Sequence, residues 1–546
     1  MKTTLKVHPQ DDMIVALQDL KKGTEIHFEG NNYILQDDIP AKHKFVTKDF
    51  EIGEPLKMYG VVVGKATQPI KKGGLIHTEN LKHASEDYSI EKKIPYQWTA
   101  PDASKFKNRT FLGYHRNDGS VGTANYWLFV PTVFCENRNL EIIKEAFYQE
   151  LGYAQPDKYK DFTKDLVSAF IQNEAIEKVS FQSKIKNQKS KIFSNIDGIK
   201  FLTHQGGCGG TRQDSAVLSR LLAAYADHPN VCGVTIMNLG CEHLQAEALK
   251  KDIFDRNPKF DKPILSFSQQ KGGTEETVVS EAIKQTFVQL IEANKIERKP
   301  ASITHLKLGV KCGGSDGFSG ISANPALGYA ADLLVASGGT VMMAEFPELN
   351  GVEQEMVDRS VSNEVANKFI HLMRSYSAQA EAAGSGFYMN PSPGNIKDGL
   401  ITDAIKSCGA ARKGGFSPVT DVLDYTEKST KPGLNLVCTP GNDVEATTGK
   451  TASGANVICF TTGLGTPTGN PICPVVKIST NNALALRMPD IIDINTGSII
   501  TGEKSIQEMG EEILEFVLKV ASGEIVPKAV QLGQDDFIPW KRGVSL

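Results

Sequence analysis

The stretch Lys311–Asn324, KCGGSDGFSGISAN, holds the residue types of a catalytic loop within a short space. It contains a thiol, an acid, several hydroxyl and amide side chains and four glycines. An apolar run, Leu306–Val310, precedes it, and Pro325–Gly339 has the pattern of a helix with Pro325 in its first turn. Glycine lets backbone N–H groups approach a ligand, and a helix N-terminus attracts anions. We therefore predict a strand–loop–helix unit that binds a polar ligand.

Four further segments show the same order of apolar strand and polar, glycine-rich loop. They are Ile199–Tyr225 with HQGGCGG, Val231–Ile253 with NLGCEH, Leu434–Gly449 with TPGND and Asn456–Pro471 with GLGTPTG. Ligands of open α/β sheets collect at the carboxyl ends of strands. The recurrence predicts an α/β protein in which five loops form one composite site.

The loops contain few acids and many amides, hydroxyls and backbone donors. This composition suits a small polyhydroxylated anion better than an apolar substrate. The chain has no P-loop, and HQGGCGG lacks the dinucleotide-binding GxGxxG pattern. Histidines, carboxylates and thiols near the loops favour a divalent metal, which could polarise a carboxylate while a base removes the adjacent proton. Cys–His nucleophilic catalysis also stays open on composition.

The length of 546 residues predicts roughly three or four domains at about 150 residues each. With a net charge of −4 and interspersed lysines and acids, nucleic acid is not an expected partner. The first residues lack the apolar core of a signal peptide, and no apolar run reaches the roughly 18 residues of a membrane span. The nine cysteines form no CxxC pair. We therefore expect a cytoplasmic protein with reduced thiols, three of them buried in apolar strands: Cys232, Cys438 and Cys459.

Residues 1–90 have short β-type runs broken by Gly and Pro every eight to twelve residues, which predicts a small all-β module. His43 and His77 lie at loop-like positions and form a candidate pair of metal ligands. Residues 91–108 are polar and contain prolines, so we predict a linker. Two α/β domains follow, over 109–300 and 301–546, and the second includes one long polar helix over about 353–382.

YHRNDGSVG has the composition of a turn between strands, before the buried strand expected in YWLFVPTVF. Arg116, Asp118 and Asn125 in this region could contact a polar ligand. A purely structural turn is an equal alternative for these three residues.

Ten short motifs make the chain similar to a known family. They are AKHKF, GGLIHTEN, GYHRNDGSVG, GCGG, NLGCEH, CGGSDGFSGISANPALGYA, NPSPGN, TPGND, GTPTG and VKISTN. Through them the chain resembles the altronate dehydratase/galactarate dehydratase family over essentially its full length. The resemblance implies an N-terminal SAF-type β-clip module and two catalytic α/β domains. It also implies a cytoplasmic lyase that needs a divalent metal, with Fe²⁺ favoured and Mn²⁺ or another ion as alternatives. TPGND resembles the altronate branch, whose product is 2-keto-3-deoxy-D-gluconate in galacturonate catabolism.

From the loops and this resemblance we predict roles for individual residues. The metal ligands are His43, His77 and Cys208, and the acid–base candidates are Cys312, Asp316, Cys241 and Glu242. The predicted substrate-binding residues are Arg116, Asp118, Asn125, Gly313, Gly314, Ser315, Asn390, Asn395, Asn442, Asp443, Thr466 and Lys477. In the expected reaction, a base removes the C2 proton and the C3 hydroxyl leaves as water.

Two positions depart from the family pattern. Leu464 and Ala124 stand where the resemblance leads us to expect arginines, so the acid substrate is left open. The alternatives are dehydration of another aldonate or aldarate such as galactarate, a sulfo-lyase reaction, and a non-catalytic protein that binds a sugar acid. The resemblance also leaves a homo-oligomer open.

Overall fold

The structure is a computed structural model that describes residues 3–155, 158–182 and 190–542. Along these residues the chain forms a small all-β unit and then two larger α/β units. This architecture confirms the predicted fold class. In the described part of the chain, no helix is both long and apolar enough to cross a membrane.

The N-terminal unit consists of short antiparallel strands in three small sheets. The strands are β1 (Thr4–Leu5), β2 (Met13–Ala16), β3 (Glu25–Phe28), β4 (Asn31–Ile34), β5 (Lys44–Val46), β6 (Pro55–Met58), β7 (Val61–Ala66) and β8 (Leu81–Lys82). The sheets have the orders β1-β2-β5, β3-β4 and β6-β7-β8. Ile14, Leu35 and Phe45 belong to one small core of this unit. Strands this short are not stable alone, so the unit depends on that core and on its packing against the rest of the chain.

The middle unit is built around a four-stranded parallel sheet in the order β12-β11-β13-β14. Its strands, with the hairpin that precedes them, are β9 (Thr110–His115), β10 (Val121–Gly122), β11 (Tyr126–Pro131), β12 (Gly198–Phe201), β13 (Val231–Asn238) and β14 (Ile264–Ser268). Its helices are α1 (Asn137–Leu151), α2 (Lys158–Ile171), α3 (Arg212–Asp227), α4 (Ala246–Arg256), α5 (Gln269–Gly272) and α6 (Glu275–Ala293). Successive residues of β11 enter different cores: Leu128 packs with α3 and α4, and Trp127 with α1 and α6. This alternation explains why the whole strand is apolar.

The C-terminal unit contains the larger sheet. Its strands are β15 (Lys299–Ser302), β16 (Lys307–Cys312), β17 (Thr340–Ala344), β18 (Val419–Leu423), β19 (Gly433–Val437), β20 (Val457–Thr462), β21 (Val475–Ser479) and β22 (Ile494–Asn495). Its helices are α7 (Ala323–Ala336), α8 (Glu353–Arg359), α9 (Asn363–Ala382), α10 (Pro393–Lys397), α11 (Asp403–Ala411), α12 (Asp443–Ser453), α13 (Asn482–Arg487), α14 (Gly497–Thr501), α15 (Ile506–Ala521) and α16 (Lys528–Gln531). Seven strands form one parallel sheet in the order β18-β19-β17-β16-β20-β21-β22. The strand β15 pairs instead with β9, in the sheet β10-β9-β15.

The single helix predicted over 353–382 is wrong, because the chain forms two helices there, α8 and α9. The side chain of Ser362 accepts a hydrogen bond from the amide of Val365 and so begins α9. A serine N-cap of this kind is a start signal inside what looked like one polar periodic segment.

The segment after α16 connects the middle and C-terminal units. Lys200 of the middle unit pairs with Asp535 at 2.7 Å, and the amide of Gly469 donates to Asp536 at 2.8 Å. Further along, the amide of Trp540 donates to the hydroxyl of Tyr425 at 3.1 Å. The two α/β units are therefore held together partly by the C-terminal tail.

Candidate active site

The carboxyl ends of five neighbouring strands, β19, β17, β16, β20 and β21, meet at one edge of the seven-stranded sheet. All of these pairs are parallel, so the loops that follow the strands lie side by side. CGGSDGFSG follows β16, TPGND follows β19, GLGTPTG follows β20, and the TN of VKISTN follows β21. This edge is the candidate active site.

Two glycines in the loop after β16 allow the neighbouring loops to approach closely. A Cβ on Gly313 would collide with the carboxylate of Asp443, and a Cβ on Gly314 would lie 2.9 Å from Thr466 Oγ1. Gly314 also has a φ of +55°, a left-handed conformation that glycine adopts without strain. The glycines therefore bring Asp443 and Thr466 against the backbone of this loop.

A row of three side chains crosses the sheet beneath the loops. Lys311 on β16 is in register with Phe460 on β20, which is in register with Lys477 on β21. Nζ of Lys477 lies 3.7 Å from the centre of the Phe460 ring, and Nζ of Lys311 lies 5.7 Å from it. Two buried amino groups therefore flank one aromatic ring.

The two lysines of this row have different partners. Lys311 forms ion pairs with Glu345 and, at 2.8 Å, with Asp443. Burial opposes its charge, but the two carboxylates raise the pKa of Lys311 well above its usual value. Lys477 donates a hydrogen bond to Thr468 Oγ1 at 3.2 Å, and burial lowers the pKa of Lys477 to about 7. Lys311 is therefore a permanent cation, whereas Lys477 can exchange a proton near neutral pH.

A buried acidic cluster lies beside this row, at the ends of β16 and β17. It consists of Cys312, Glu345 and Glu348, whose ligand atoms all lie within 4.8 Å of one another. Glu345 has a φ of +75°, which is a strained conformation for a residue with a side chain. Within the described residues, this is the one group of three or more His, Cys, Asp or Glu side chains with the spacing of metal ligands.

The ammonium group of Lys413 occupies the centre of this acidic cluster. Its Nζ lies 3.2 Å from Cys312 Sγ and 3.1 Å from a carboxylate oxygen of Glu345. It also lies 3.7 Å from a carboxylate oxygen of Glu348. Lys406 approaches the same Glu348 from another side, at 3.0 Å. The three atoms that could bind a metal therefore already surround the ammonium ion of Lys413.

The pKa values of the cluster follow from burial and from these lysines. Burial alone would raise the pKa of Glu348, but Lys406, Lys311 and Lys413 together hold it well below its usual value. Burial, supported by the charge of Glu348, raises the pKa of Glu345. Burial also raises the pKa of Cys312 to about 11, so this side chain is a thiol at neutral pH.

A divalent metal does not fit the cluster in this arrangement. Three lysines face three carboxylates, so the local charges cancel: Lys311, Lys406 and Lys413 against Glu345, Glu348 and Asp443. A divalent ion would add two uncompensated charges to a buried site, which is strongly unfavourable. The ion would have to displace the ammonium group of Lys413, and the thiol of Cys312 would have to lose its proton.

Asp316 receives a lysine from the N-terminal unit. Its buried carboxylate accepts hydrogen bonds from Thr480 Oγ1 at 3.1 Å and Asn481 Nδ2 at 3.3 Å. Nζ of Lys42 lies 3.1 Å from the same carboxylate and 2.7 Å from Asp398. The AKHKF turn of the N-terminal unit therefore docks beside the glycine-rich loop after β16.

Most of the predicted substrate-binding residues assemble at this edge. Asn395 donates a hydrogen bond to the carbonyl of Ser315 at 2.8 Å, and Asn390 accepts one from Lys406 at 2.9 Å. Asn442 begins α12 by accepting hydrogen bonds from the backbone of the next turn. The set brought together is Gly313, Gly314, Ser315, Asn390, Asn395, Asn442, Asp443, Thr466 and Lys477.

Three other predicted substrate-binding residues lie at the amino edge of the middle sheet, where β11 begins. Arg116 is half-buried and donates to the carbonyl of Pro229 at 2.8 Å and to Asn125 Oδ1 at 2.9 Å. Asp118 accepts from Ser120 and from Asn257 within the same region. Internal bonds use these side chains, so the geometry favours the structural turn, which forms the hairpin of β9 and β10.

The predicted residues of the middle unit lie at the carboxyl edge of its own sheet. Glu242 is buried and accepts hydrogen bonds from Thr132 Oγ1 at 2.7 Å and the amide of Gly240 at 2.6 Å. Cys241 is exposed and accepts a hydrogen bond from Gln270 at 3.2 Å. Cys208 is exposed on the wall of a cavity of about 320 Å³ that the C-terminal tail covers.

The predicted metal ligands do not lie together. His43 makes a contact of 3.3 Å between Nδ1 and the carbonyl of Ala41, and burial lowers the pKa of His43. Nδ1 of His77 accepts a hydrogen bond from the amide of Glu79 at 3.3 Å. Neither histidine, nor Cys208, belongs to the group with metal-like spacing found in the described parts of the chain. Their ligand roles stay predictions.

Sequence reasoning missed the lysines that organise the site. The residues absent from the predicted set are Lys42, Lys311, Lys406, Lys413, Glu345 and Glu348. For two of the lysines, position in the sequence was a usable signal of a site residue. Lys311 lies near the end of a strand, and Lys413 precedes the glycine pair Gly414-Gly415. The partner of each lysine is too far away in sequence for a local motif to reveal it.

Three family models match successive parts of the chain. Residues 2–84 match the altronate/galactarate dehydratase SAF domain. Residues 113–294 match the second domain of D-galactarate dehydratase/altronate hydrolase, and residues 303–545 match the C-terminal domain of D-galactarate/altronate dehydratase.

Curated relatives match nearly the full length. The chain is 33% identical over 526 residues to an altronate dehydratase of Bacillus subtilis, with 96% of each chain covered. It is 31% identical to an altronate dehydratase of Escherichia coli, with 95% of each covered. It is 32% identical to a galactarate dehydratase (L-threo-forming) of Escherichia coli, with 95% of this chain and 93% of the relative covered.

Proposed function

The chain belongs to the D-galactarate/altronate dehydratase family, and from that premise we propose that it is a hydro-lyase that removes water from a sugar acid. The observation that carries this proposal is the carboxyl edge of the seven-stranded sheet, where cations, hydroxyls and amides surround glycine-rich loops. A sugar acid offers one carboxylate and several hydroxyls. Fixed cations and many hydrogen-bonding groups match such a molecule.

The substrate in this proposal is D-altronate, and the product is 2-keto-3-deoxy-D-gluconate, formed in the degradation of galacturonate. Its support is that two of the relatives at 33% and 31% identity are altronate dehydratases. Galactarate is the second candidate, because the galactarate dehydratase is 32% identical, a value between those of the two altronate dehydratases.

The substrate lies on the loops after β16, β19 and β20 in this proposal. Its carboxylate is near the backbone amide of Gly314, above the buried permanent cation Lys311. Its hydroxyls bond to neighbouring amide and hydroxyl side chains, with Asn395 and Thr466 as the central ones. Cations and oriented donors of this kind bind carboxylates and fix the reacting carbon.

The reaction breaks the C2–H and C3–O bonds. A base takes the C2 proton, the electron pair forms a C2–C3 double bond, and the C3 hydroxyl gains a proton and leaves as water. The enol then rearranges to the 2-ketone. Because Cys312 is a thiol at neutral pH, its role is to donate a proton rather than to accept one. Asp316, Cys241 and Glu242 stay candidates for the other proton transfers.

A divalent metal, with Fe²⁺ favoured, stays part of the proposal as a requirement to be tested. Such an ion, when bound, would polarise the substrate carboxylate. The acidic cluster around Lys413 does not fit the ion, so no step is assigned to it here.

An anaerobic assay of 2-keto-3-deoxy acid formation tests the function. We expect turnover of D-altronate by protein that has been treated with a chelator and then supplied with Fe²⁺, and less turnover of galactarate. A panel of other aldonates, aldarates and sulfolactate separates the alternatives. Binding of a sugar acid without turnover of any acid, in folded and metal-supplied protein, would instead indicate a binding protein.

A further inference from the structure

Lys477 is a buried amino group that no carboxylate neutralises. The residue is fully buried on β21, and its Nζ contacts the Phe460 ring and one hydroxyl, Thr468 Oγ1. Within the described residues, no carboxylate oxygen lies within the 4.0 Å that defines an ion pair with this Nζ. An ammonium group has three donors, so a charged Lys477 would leave part of its bonding capacity unused in the interior.

Three other lysines of this edge differ from Lys477 in this respect, whereas the buried Lys450 of α12 donates to the carbonyl of Val310 within the sheet. Lys311 pairs with Asp443 at 2.8 Å, Lys406 with Glu348 at 3.0 Å, and Lys413 with Glu345 at 3.1 Å. Each of them is fixed in its charged form by a buried or half-buried acid. Lys477 therefore combines burial, a place in the site and the freedom to lose its proton.

Charged groups face Lys477 from all of the elements around it. Asp443 stands at the start of α12, Asp536 lies in the C-terminal tail, and Asp493 precedes β22. Asp493 accepts the backbone amide of Lys477 at 2.8 Å, so its carboxylate is bound to the main chain and not to Nζ. Lys311 on β16 adds a positive charge that opposes protonation. Burial outweighs the three acids, and the pKa of Lys477 falls to about 7.

A hydrogen bond joins this buried amine to one of the loops of the proposed substrate site. Thr468, its hydrogen-bond partner, belongs to the GLGTPTG loop and is half-buried rather than enclosed. Thr466 of the same loop lies against Gly314, next to the predicted substrate. The Phe460 ring covers the other side of Nζ and limits the access of water.

We propose that Lys477 is the base that removes the C2 proton of the sugar acid. This inference rests on the proposed function and deepens it. The neutral amine takes the proton and becomes an ammonium ion, while the C2–H electron pair forms the C2–C3 double bond as the C3 hydroxyl leaves. Thr468 accepts a hydrogen bond from the new ammonium ion. The permanent charge of the buried Lys311 stabilises the negative charge that develops on the substrate carboxylate.

The variant Lys477→Arg tests this role, because arginine keeps a positive charge but cannot act as a base at neutral pH. We expect kcat to fall by about 10²–10⁴-fold, with KM changed by less than about threefold. In the wild type, kcat/KM should rise with pH through a pKa of about 7 as the amine loses its proton. This limb of the pH profile should be absent from the residual activity of the variant.

Lys307→Arg is the matched control. Lys307 is a lysine of the same sheet with a pKa lowered by burial to about 8, but it lies at the amino end of β16 and donates to the carbonyl of Ser429 at 2.7 Å. We expect this control to keep the wild-type kcat and pH profile.

Retention of more than about a tenth of kcat by Lys477→Arg, with the same pH limb, would overturn the proposal and identify Lys477 as a cation that binds substrate. If Lys477→Arg does not fold, Lys477→Met replaces it. Loss of turnover with sugar-acid binding retained supports the proposal, and wild-type turnover contradicts it. A wild-type protein that turns over no sugar acid contradicts the proposed function itself, which is a separate result.

Discussion

The ammonium group of Lys413 contacts Cys312, Glu345 and Glu348, and this contact decides what the acidic cluster can bind. Three potential ligand atoms within 4.8 Å of one another resemble a metal site by geometry alone. The lysine supplies the positive charge that a metal would otherwise bring, so the cluster is stable without an ion.

Removal of this lysine is expected to create a metal site. Lys413→Ala should bind about one equivalent of Mn²⁺ or Zn²⁺ at least about tenfold more tightly than the wild type, because a buried like charge is lost. Equilibrium dialysis with elemental analysis measures the stoichiometry. The gain should disappear in Lys413→Ala combined with Cys312→Ser, and should not occur in Lys368→Ala, which removes an exposed ion pair with Glu427. A divalent ion bound by the wild type and lost in Cys312→Ser alone would contradict this interpretation.

Local sequence predicted part of the site at this scale. Asp443 and Thr466 follow apolar strands, so their place at the carboxyl edge could be expected from their position. The role of Lys413 could not, because it contacts Cys312 across 101 residues of sequence. A lysine next to glycines does not by itself indicate a functional site. Only the folded chain shows which acids it contacts.

At the scale of strands and loops, the parallel sheet places residues that are distant in sequence side by side at its carboxyl edge. Each apolar strand followed by a glycine-rich loop delivers polar residues to the carboxyl edge of its own sheet. Of the five loops predicted to form one composite site, those after β16, β19 and β20 share the edge of the seven-stranded sheet, whereas HQGGCGG and NLGCEH follow β12 and β13 of the four-stranded sheet. The same rule explains why Arg116 and Asn125 lie away from this edge. They precede β11, and residues before a parallel strand lie at the amino edge.

Gly313→Ala tests the close approach of the loops. The added Cβ collides with the carboxylate of Asp443 and should displace it from Lys311. We expect kcat/KM to fall by about 10²-fold, because a displacement of about 1 Å in a binding group has that effect. Gly198→Ala is the control, since its Cβ meets nothing nearer than 3.4 Å at the amino end of β12. Steady-state kinetics with a thermal melt of each variant measures both effects, and unchanged kcat/KM in folded Gly313→Ala would show that this packing is not needed.

At the scale of the whole molecule, the N-terminal unit contributes to the site through one turn. Lys42 bridges Asp316 and Asp398, and the fully buried Lys44 donates to the carbonyl of Gly399 at 2.5 Å. The all-β module was predicted from its punctuated strands, but its contact with the catalytic loops was not. The contact uses lysines, because the loop it meets presents carboxylates and a carbonyl.

Lys42→Met should weaken this docking. It leaves the buried carboxylate of Asp316 without its lysine, so we expect a lower kcat/KM and faster cleavage by chymotrypsin at Tyr96 or Trp98 of the segment before the middle unit. Lys21→Met is the control, because Lys21 forms an exposed pair with Asp38 within the same unit. Gel electrophoresis of timed samples measures the cleavage rates. Equal rates for wild type and Lys42→Met would show that the ion pair does not hold the N-terminal unit in place.

A crystal structure with a bound 3-deoxy analogue of altronate tests the location of the active site most directly, because the analogue lacks the hydroxyl that leaves. We predict electron density for the ligand at the carboxyl edge of the seven-stranded sheet. Its carboxylate should lie within hydrogen-bonding distance of the backbone amide of Gly314, and its C2 should face Lys477. Density instead in the cavity beside Cys208, under the C-terminal tail, would contradict this location and place the reaction in the middle unit.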